Sequence, residues 1–437
     1  MTIQLLEIVE RHKSGEPVGV YSVCSAHPLV LEAAVLQALH DRTFVLVEAT
    51  SNQVDQFGGY TGMTPVDFRD LVHSIADRHG LPRERVVLGG DHLGPNTWRS
   101  HGSDQAMANA DVLVQSYAAA GFTKIHLDCS MPCADDVSPL TDAVVAERAA
   151  RLAKVAEETA VRVHGVSRLL YVIGTEVPVP GGAHGTIDAL TPTSPDAARA
   201  TIERHREAFD SVDVTTAWGR VIGLVVQPGV EFDHERVVDY ERGRTRELSK
   251  VVAEYPQLVF EAHSTDYQTI ACLSELVEDH WALLKVGPGL TFALREALFA
   301  LAAIEDELIC DADRSSLVNV VEKQMLAEPD KWQGYYEGDE RAQRLARRYS
   351  YSDRLRYYWP HQQIDAAQTR LLANLGACDI PLPLLSAHLP GQYTRVREGE
   401  LPVEPTALVL DRVRDVLRGY ARACHPRRGS SGESDLT

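Results

Sequence analysis

Apolar residues along the chain gather into eight short runs: Val18–Val23, Phe44–Glu48, Val86–Asp91, Lys124–Cys129, Leu169–Glu176, Val221–Gln227, Leu258–His263 and Leu283–Gly287. Successive runs start 25 to 52 residues apart, which leaves room for a crossover helix in each gap. Two gaps carry a clear helical pattern, Pro28–His40 and Thr64–His79, the second with Thr64 placed as N-cap and Pro65 as the first helical residue. Near-continuous apolar strands alternating with helices predict a parallel sheet. Eight strands, rather than five or six, predict an α/β TIM (β/α)8 barrel. A dinucleotide-binding sheet would need a glycine-rich first turn, but the first run ends in Cys24-Ser25-Ala26-His27, and neither GxGxxG nor GxxxxGK[ST] occurs anywhere.

After Gly289 the texture changes. Thr291–Leu308 reads as an amphipathic helix that closes the barrel, and the remainder reads as helices broken by Pro, Gly and aromatic loops. The expected organisation is a barrel over residues 1–308, a helical extension packed on it over 309–424, and a flexible polar tail over 425–437.

Composition narrows the choice of partner. Lys and Arg number 43 against 62 Asp and Glu, a formal net charge of −19, which argues against nucleic acid or an anionic membrane surface as the main partner. A small anionic substrate remains compatible, because local positive groups can outvote a remote net charge. Only seven of the basic residues are Lys, and Lys285 is the one placed at a strand end where a Schiff base would need it. The seven cysteines are odd in number and scattered, which suits a reduced compartment better than a disulfide framework. No stretch approaches the roughly 20 apolar residues of a membrane span. A cytoplasmic homo-oligomer is the expectation.

In a (β/α)8 barrel the chemistry gathers at the C-terminal strand ends. Those ends are unusually polar here: Ser25 and His27, Glu48 and Asn52, Asp91 and His92, His126 and Asp128, Glu176, Gln227, Glu261 and His263. Imidazoles and carboxylates converging on one mouth suit a divalent metal, zinc being the natural choice for His-rich sets. His92 and His263, each beside an acid, are the leading ligands. His126 and Asp128 read either as supporting partners of the metal site or as a mutually satisfied pair, and His27 reads equally well as a helix cap.

At this point several long segments carry a resemblance: Val23–Trp98, Lys124–Met131, Ile173–Gly182, Val225–Phe232, Phe260–Thr269, Lys285–Ala297 and Arg348–Pro360. They resemble the GatZ/KbaZ family, the so-called non-catalytic subunits of class II tagatose-1,6-bisphosphate aldolase, some of which are described as tagatose-6-phosphate kinases. The resemblance implies a TIM barrel, sugar-phosphate metabolism of the galactitol/tagatose type, and a GatY/KbaY-type aldolase subunit as partner. Catalytic class II aldolases are more distantly similar. They place an Asp-His pair at a strand end, with the His on zinc and the Asp exchanging a proton, which Asp91-His92 resembles. His263-Ser264-Thr265 stands where they have a His-Gly-Gly ligand and phosphate loop, and Glu176–Gly182 resembles their Glu-x-Gly-x-x-Gly-Gly stretch. Gln227 stands where they have a further His, so the third ligand falls to Glu176, Gln227 or Glu48.

Three functions follow from that resemblance. A class II-like metal site would stabilise an enediolate at C2–C3 of a ketose phosphate, with Asp91 taking the C4 hydroxyl proton and Glu176 as a second catalytic acid. Ser264, Thr265, Gly287, Gly289 and Thr291 would hold phosphate, and Asn52 and Asp128 would touch the sugar. The same apparatus could epimerise C4 of a ketohexose 6-phosphate, fructose 6-phosphate against tagatose 6-phosphate, by retro-aldol cleavage, rotation and re-addition. A purely stabilising subunit is the third reading. Its best interface candidate is Arg347–Pro360, which could equally pack on its own barrel, while Arg354 and Arg356 could reach a phosphate. No ATP cradle supports phosphoryl transfer.

Overall fold

The computed structural model describes residues 2–175 and 190–425, so Glu176 and the tail after His425 lie outside the described residues. Eight parallel strands close into a barrel. They are β1 (Val20–Val23), β2 (Val45–Thr50), β3 (Val86–Leu93), β4 (Lys124–Leu127), β5 (Leu170–Ile173), β6 (Val221–Val225), β7 (Val259–Ala262) and β8 (Leu283–Val286). Each strand pairs with its sequence neighbours, and β8 closes the ring on β1 with Val20 opposite Leu283. Every strand overlaps one of the eight apolar runs.

Helices cover the outside: α1 (Thr2–Lys13), α2 (Pro28–His40), α3 (Pro65–His79), α4 (Ser103–Ala120), α5 (Asp142–His164), α6 (Pro195–Ser211), α7 (Arg242–Ser249), α8 (Ile270–Glu278) and α9 (Pro288–Leu308). Their ends follow local chemistry. His27 caps α2 by accepting from Leu29 N–H, and Thr64 with Asp67 forms a capping box on α3. Among the described residues, no helix is long and apolar enough to cross a membrane.

Strand side chains alternate between the barrel interior and the helices. Outward Val47, Ile125, Tyr171, Leu224 and Phe260 join the main core under the helices. The inward residues form layers of changing character. The floor is apolar, built from Val20, Leu46, Val87, Leu170, Ile222, Val259 and Leu283, and α1 plugs it with Leu5 and Val9. One step up, the inward positions are Ser22, Glu48, Lys124, Glu261 and Lys285, all buried. Above these stand the histidines.

Beyond α9 the chain continues through α10 (Leu317–Ala327), α11 (Glu340–Tyr349), α12 (Gln362–Gly376), α13 (Leu382–His388), α14 (Pro390–Arg397) and α15 (Pro405–Cys424). The last of these returns to the barrel wall, packing against α2, α8 and α9. Its Tyr420 hydroxyl donates to Thr265 O at 2.8 Å, and Gly19 N–H donates to Cys424 O at 2.9 Å. The Arg347–Pro360 segment turns inward: Arg347 is fully buried on Glu322 and Glu340, and Tyr358 and Trp359 are buried as well. Most of its anchor residues therefore pack on the chain itself, while Tyr349 stays exposed.

Candidate active site

The β3 strand sets the site. Strict alternation would send Asp91 and His92 to opposite faces, but the β3–β4 register shifts between Gly90 and Leu93, and His92 adopts a left-handed φ of 50°. A left-handed non-glycine residue costs on the order of 1–3 kcal/mol and persists where surrounding structure holds it. The irregularity brings both side chains into one cluster. Asp91, His92, His126 and His263 present potential ligand atoms all within 4.8 Å of one another, and all four residues are buried. The three imidazole centroids form a nearly equilateral triangle, 5.1, 4.9 and 5.1 Å on a side, with ring planes 61° to 88° apart.

Each imidazole is oriented by an acid. His92 Nδ1 meets Asp128 Oδ2 at 2.7 Å, His263 Nε2 meets Glu261 Oε1 at 3.0 Å, and His126 Nδ1 meets Asp91 Oδ1 at 2.8 Å. The remaining nitrogens are His92 Nε2, His263 Nδ1 and His126 Nε2. His126 Nε2 is buried with no hydrogen-bond partner, a costly state for a lone polar atom. Burial holds His263 down at about 4, so it is neutral and able to ligate at ordinary pH. For His92, burial pulls the other way but is outweighed by Asp91 and Asp128, which raise it. Burial would also raise Asp91, yet His92, Lys285 and His126 hold it well below the carboxylate range.

Beneath the cluster lies a buried ionic layer. Lys124 Nζ stands 2.8 Å from Glu48 Oε1 and 2.6 Å from Glu261 Oε2, close contacts that are poorly directed as hydrogen bonds. Lys285 Nζ pairs with Glu48 Oε2, and lies 2.8 Å from Asp91 Oδ1 and 3.7 Å from Glu261 Oε1. Burial opposes the Lys285 charge, but these acids hold its pKa well above the ordinary value, so it is an ammonium and not a free amine for a Schiff base. Gly89 makes the layer possible: a Cβ there would lie 2.7 Å from Glu48 Cγ, between the Glu48 and Lys124 strands. With the three imidazoles neutral, the form in which they ligate, the four acids Glu48, Asp91, Asp128 and Glu261 exceed Lys124 and Lys285 by two in formal charge. A divalent cation at the imidazoles would balance that excess. The donor set, the orphaned His126 nitrogen and the charge count all fit such an ion, with His92, His126 and His263 as nitrogen donors and Asp91 beside them.

The cluster opens into a cavity of about 600 Å³. Asn52, Ser264, Gly287 and Thr291 line it, as do Asp266 and Arg356. Other sequence-predicted residues are engaged elsewhere. Gln227 Oε1 accepts from Gly229 and Val230 N–H at 2.8 and 3.0 Å, a turn at the end of β6. Glu48 sits in the ionic layer below the imidazoles. Thr265 Oγ1 is bound between Lys285 O and Tyr420. Thr291 Oγ1 donates to Asp353 at 2.6 Å. Arg354 stacks on Tyr335 and donates to Lys331 O, whereas Arg356 faces the cavity. Most telling, the Gly287 and Gly289 N–H groups both donate to Asp266 Oδ1, at 2.9 and 2.8 Å. Burial pushes that carboxyl up to about 6.

Sequence reasoning missed Lys124 and Asp266 and gave His126 only a supporting part. The signal for the first and last was available: on β4, Lys124, His126 and Asp128 recur at every second position of an otherwise apolar run, marking a polar inward stripe. Asp266 had no such signal, because its partners lie on another strand's loop.

Comparison with known proteins places the chain in context. A family model described as D-tagatose-1,6-bisphosphate aldolase subunit GatZ/KbaZ-like matches residues 5–425. The crystal structure of a probable tagatose 6 phosphate kinase from Sinorhizobium meliloti 1021 is 50% identical, covering 93% of this chain and 100% of that chain, with a TM-score of 0.86. A glycerol complex of the fructuronate-tagaturonate epimerase UxaE from Cohnella laeviribosi is similar in fold at 12% identity, covering 94% of this chain and 82% of that chain with a TM-score of 0.50. The YdjI aldolase from Escherichia coli K12 matches at 14% identity over 70% of this chain and 86% of that chain, with a TM-score of 0.41.

Proposed function

Given that the chain belongs to the GatZ/KbaZ-like family of D-tagatose-1,6-bisphosphate aldolase subunits, we propose that it is itself a metal-dependent enzyme of aldol type acting on a ketohexose phosphate. The observation that carries this is one buried cluster of three acid-oriented imidazoles and Asp91, of which His92, His263 and Asp91 line one cavity. A subunit with only a scaffolding part has no use for three buried imidazoles set among carboxylates beside a cavity. A divalent ion held there would act as a Lewis acid on an α-hydroxycarbonyl group.

The chain's own residues supply the rest. Asp91 is ionised at neutral pH, the form a base needs, and its Oδ1 is fixed by Lys285 and His126. Its Oδ2, 3.7 Å from His92 Nε2, is the oxygen left to take a proton. Cleavage breaks C3–C4, leaves the electron pair on C3, makes C4 an aldehyde and passes the C4 hydroxyl proton to Asp91. Return of the same proton after re-addition restores the hydroxyl. If the aldehyde leaves, the enzyme is an aldolase. If it rotates and re-adds from the other face, it is a 4-epimerase. A cavity of about 600 Å³ has room for both fragments, as either outcome requires.

The experiment is to incubate the purified protein alone with fructose 6-phosphate and with tagatose 1,6-bisphosphate, with and without chelator. Chelator-sensitive turnover of at least one of the two is expected. His92→Ala and His263→Ala should lose both turnover and bound metal. Inertness with every divalent metal would overturn the proposal in favour of a stabilising role for a partner aldolase.

A further inference from the structure

In barrels of this kind, backbone amides in the loops after the seventh and eighth strands, with the helix that follows, form the usual phosphate cradle. The equivalent place here is the start of α9. It is filled by the chain's own carboxylate: Asp266 Oδ1 takes both Gly287 and Gly289 N–H. Asp266 is only 3% exposed, yet it lines the cavity. Among the described residues, no Lys, Arg or His lies within ion-pair distance of it. Arg356, on the same cavity, is occupied by Ser352 O, Asp353 O and the Tyr357 hydroxyl.

The loop is anchored on both sides of Asp266. Thr265 is tied to Lys285 O and Tyr420, the Tyr267 hydroxyl donates to Tyr351 O at 2.6 Å, and Gln268 Nε2 donates to Val238 O at 2.8 Å. The Gly289 position is equally tight, since a Cβ there would lie 3.0 Å from Asp266 Oδ1. A phosphate entering this cradle would have to displace a carboxylate from its two donors and then sit against its charge.

Resting on the ketose-phosphate reading of this site, we propose that Asp266 is a specificity-determining residue that denies the cradle to phosphate. The end of the sugar that meets α9 must then carry a free hydroxyl, whose hydrogen Asp266 can accept. A 1,6-bisphosphate presents a phosphate at either end and is excluded whichever way it lies. A ketohexose monophosphate fits, with its phosphate at the other end. The substrate class is therefore the monophosphate, which is the substrate of epimerisation rather than of bisphosphate cleavage.

The test is equilibrium binding by calorimetry on metal-loaded protein, comparing wild type with Asp266→Ala and Asp266→Asn. The probes are fructose 6-phosphate, fructose 1,6-bisphosphate and inorganic phosphate. Wild type should prefer the monophosphate by about tenfold or more, and Asp266→Ala should erase that preference, gaining about tenfold or more for the bisphosphate while binding the monophosphate more weakly for want of the hydroxyl's acceptor. Asp266→Asn, which can keep one acceptor oxygen on the two amides, guards against a folding defect and should show a smaller gain. Equal wild-type affinity for the two sugars, or an unchanged ratio in both variants, overturns the inference. If neither sugar binds wild type, the ketose-phosphate reading has failed on its own. Inorganic phosphate then decides for Asp266: tighter binding in Asp266→Ala upholds its part as an anion plug, and unchanged binding removes it.

Discussion

Replacing Asp128 by Asn probes the candidate metal site without touching a ligand. Asp128 is 1% exposed, and its Oδ2 lies 2.7 Å from His92 Nδ1. That contact keeps the His92 proton on Nδ1 and the Nε2 lone pair toward the other imidazoles. An Asn of the same shape loses the charge and can offer an N–H instead, which turns the imidazole to the wrong tautomer. Loss of such a supporting carboxylate typically costs ten- to hundredfold in metal affinity, about 1.4 to 2.7 kcal/mol. The consequence can be read as stability. At free ion a hundredfold above the dissociation constant, binding stabilises the native state by about 2.7 kcal/mol, and ten- to hundredfold weaker binding leaves about 1.4 to 0.4 kcal/mol. Urea unfolding with and without Zn²⁺, in wild type and Asp128→Asn, measures this increment and cancels whatever the substitution does to the metal-free protein. An increment of equal size in both proteins would refute the orienting role. No increment in wild type would refute the ion itself.

Two further outcomes test the layers around the site. Lys124→Met leaves the buried Glu48 and Glu261 with only Lys285 to share, and breaking a buried ion pair from one side costs about 3–5 kcal/mol. Urea midpoints should fall accordingly and recover partly in Lys124→Met/Glu48→Gln/Glu261→Gln; a loss under about 1 kcal/mol would show the layer to be electrostatically slack. His205, fully buried with Nδ1 on Thr201 O, is held at about 4 by burial against 6.5 in an exposed imidazole. The unfolded chain therefore binds a proton that the native state refuses, so stability is full above pH 6.5 and falls, by up to about 3 kcal/mol, as pH drops toward 4. His205→Gln should flatten that slope in denaturation series between pH 4.5 and 7, and an unchanged slope would rule it out.

The architecture was largely legible in the residue pattern because strands buried on both faces must be apolar along their length, and because eight such runs at crossover spacing admit few closures. Asp91, His92 and His263 were legible too, as polar groups at the ends of those runs. Gln227 shows where that reasoning stops. It stands at a strand end like the others, but an amide oxygen has a local use, and the β6 turn takes it up through Gly229 and Val230 N–H. Glu48 shows the same limit, since its position along β2 places it one layer below the imidazoles, where two lysines compete for it. The resemblance to a phosphate loop after β7 likewise could not reveal that Asp266 already holds the amides.

Sequence alone determined the strand and helix periodicity, the barrel they close into and the family, because these depend on alternation, spacing and long local motifs. Tertiary structure alone decided three things: that His126 joins His92 and His263, that Lys124 and Lys285 sit under them, and that Asp266 fills the cradle at α9. The physical reason is common to all three. Each depends on the distance between side chains from different strands, set by barrel register and by backbone irregularities such as the left-handed His92, and no order of residues along one strand encodes that distance.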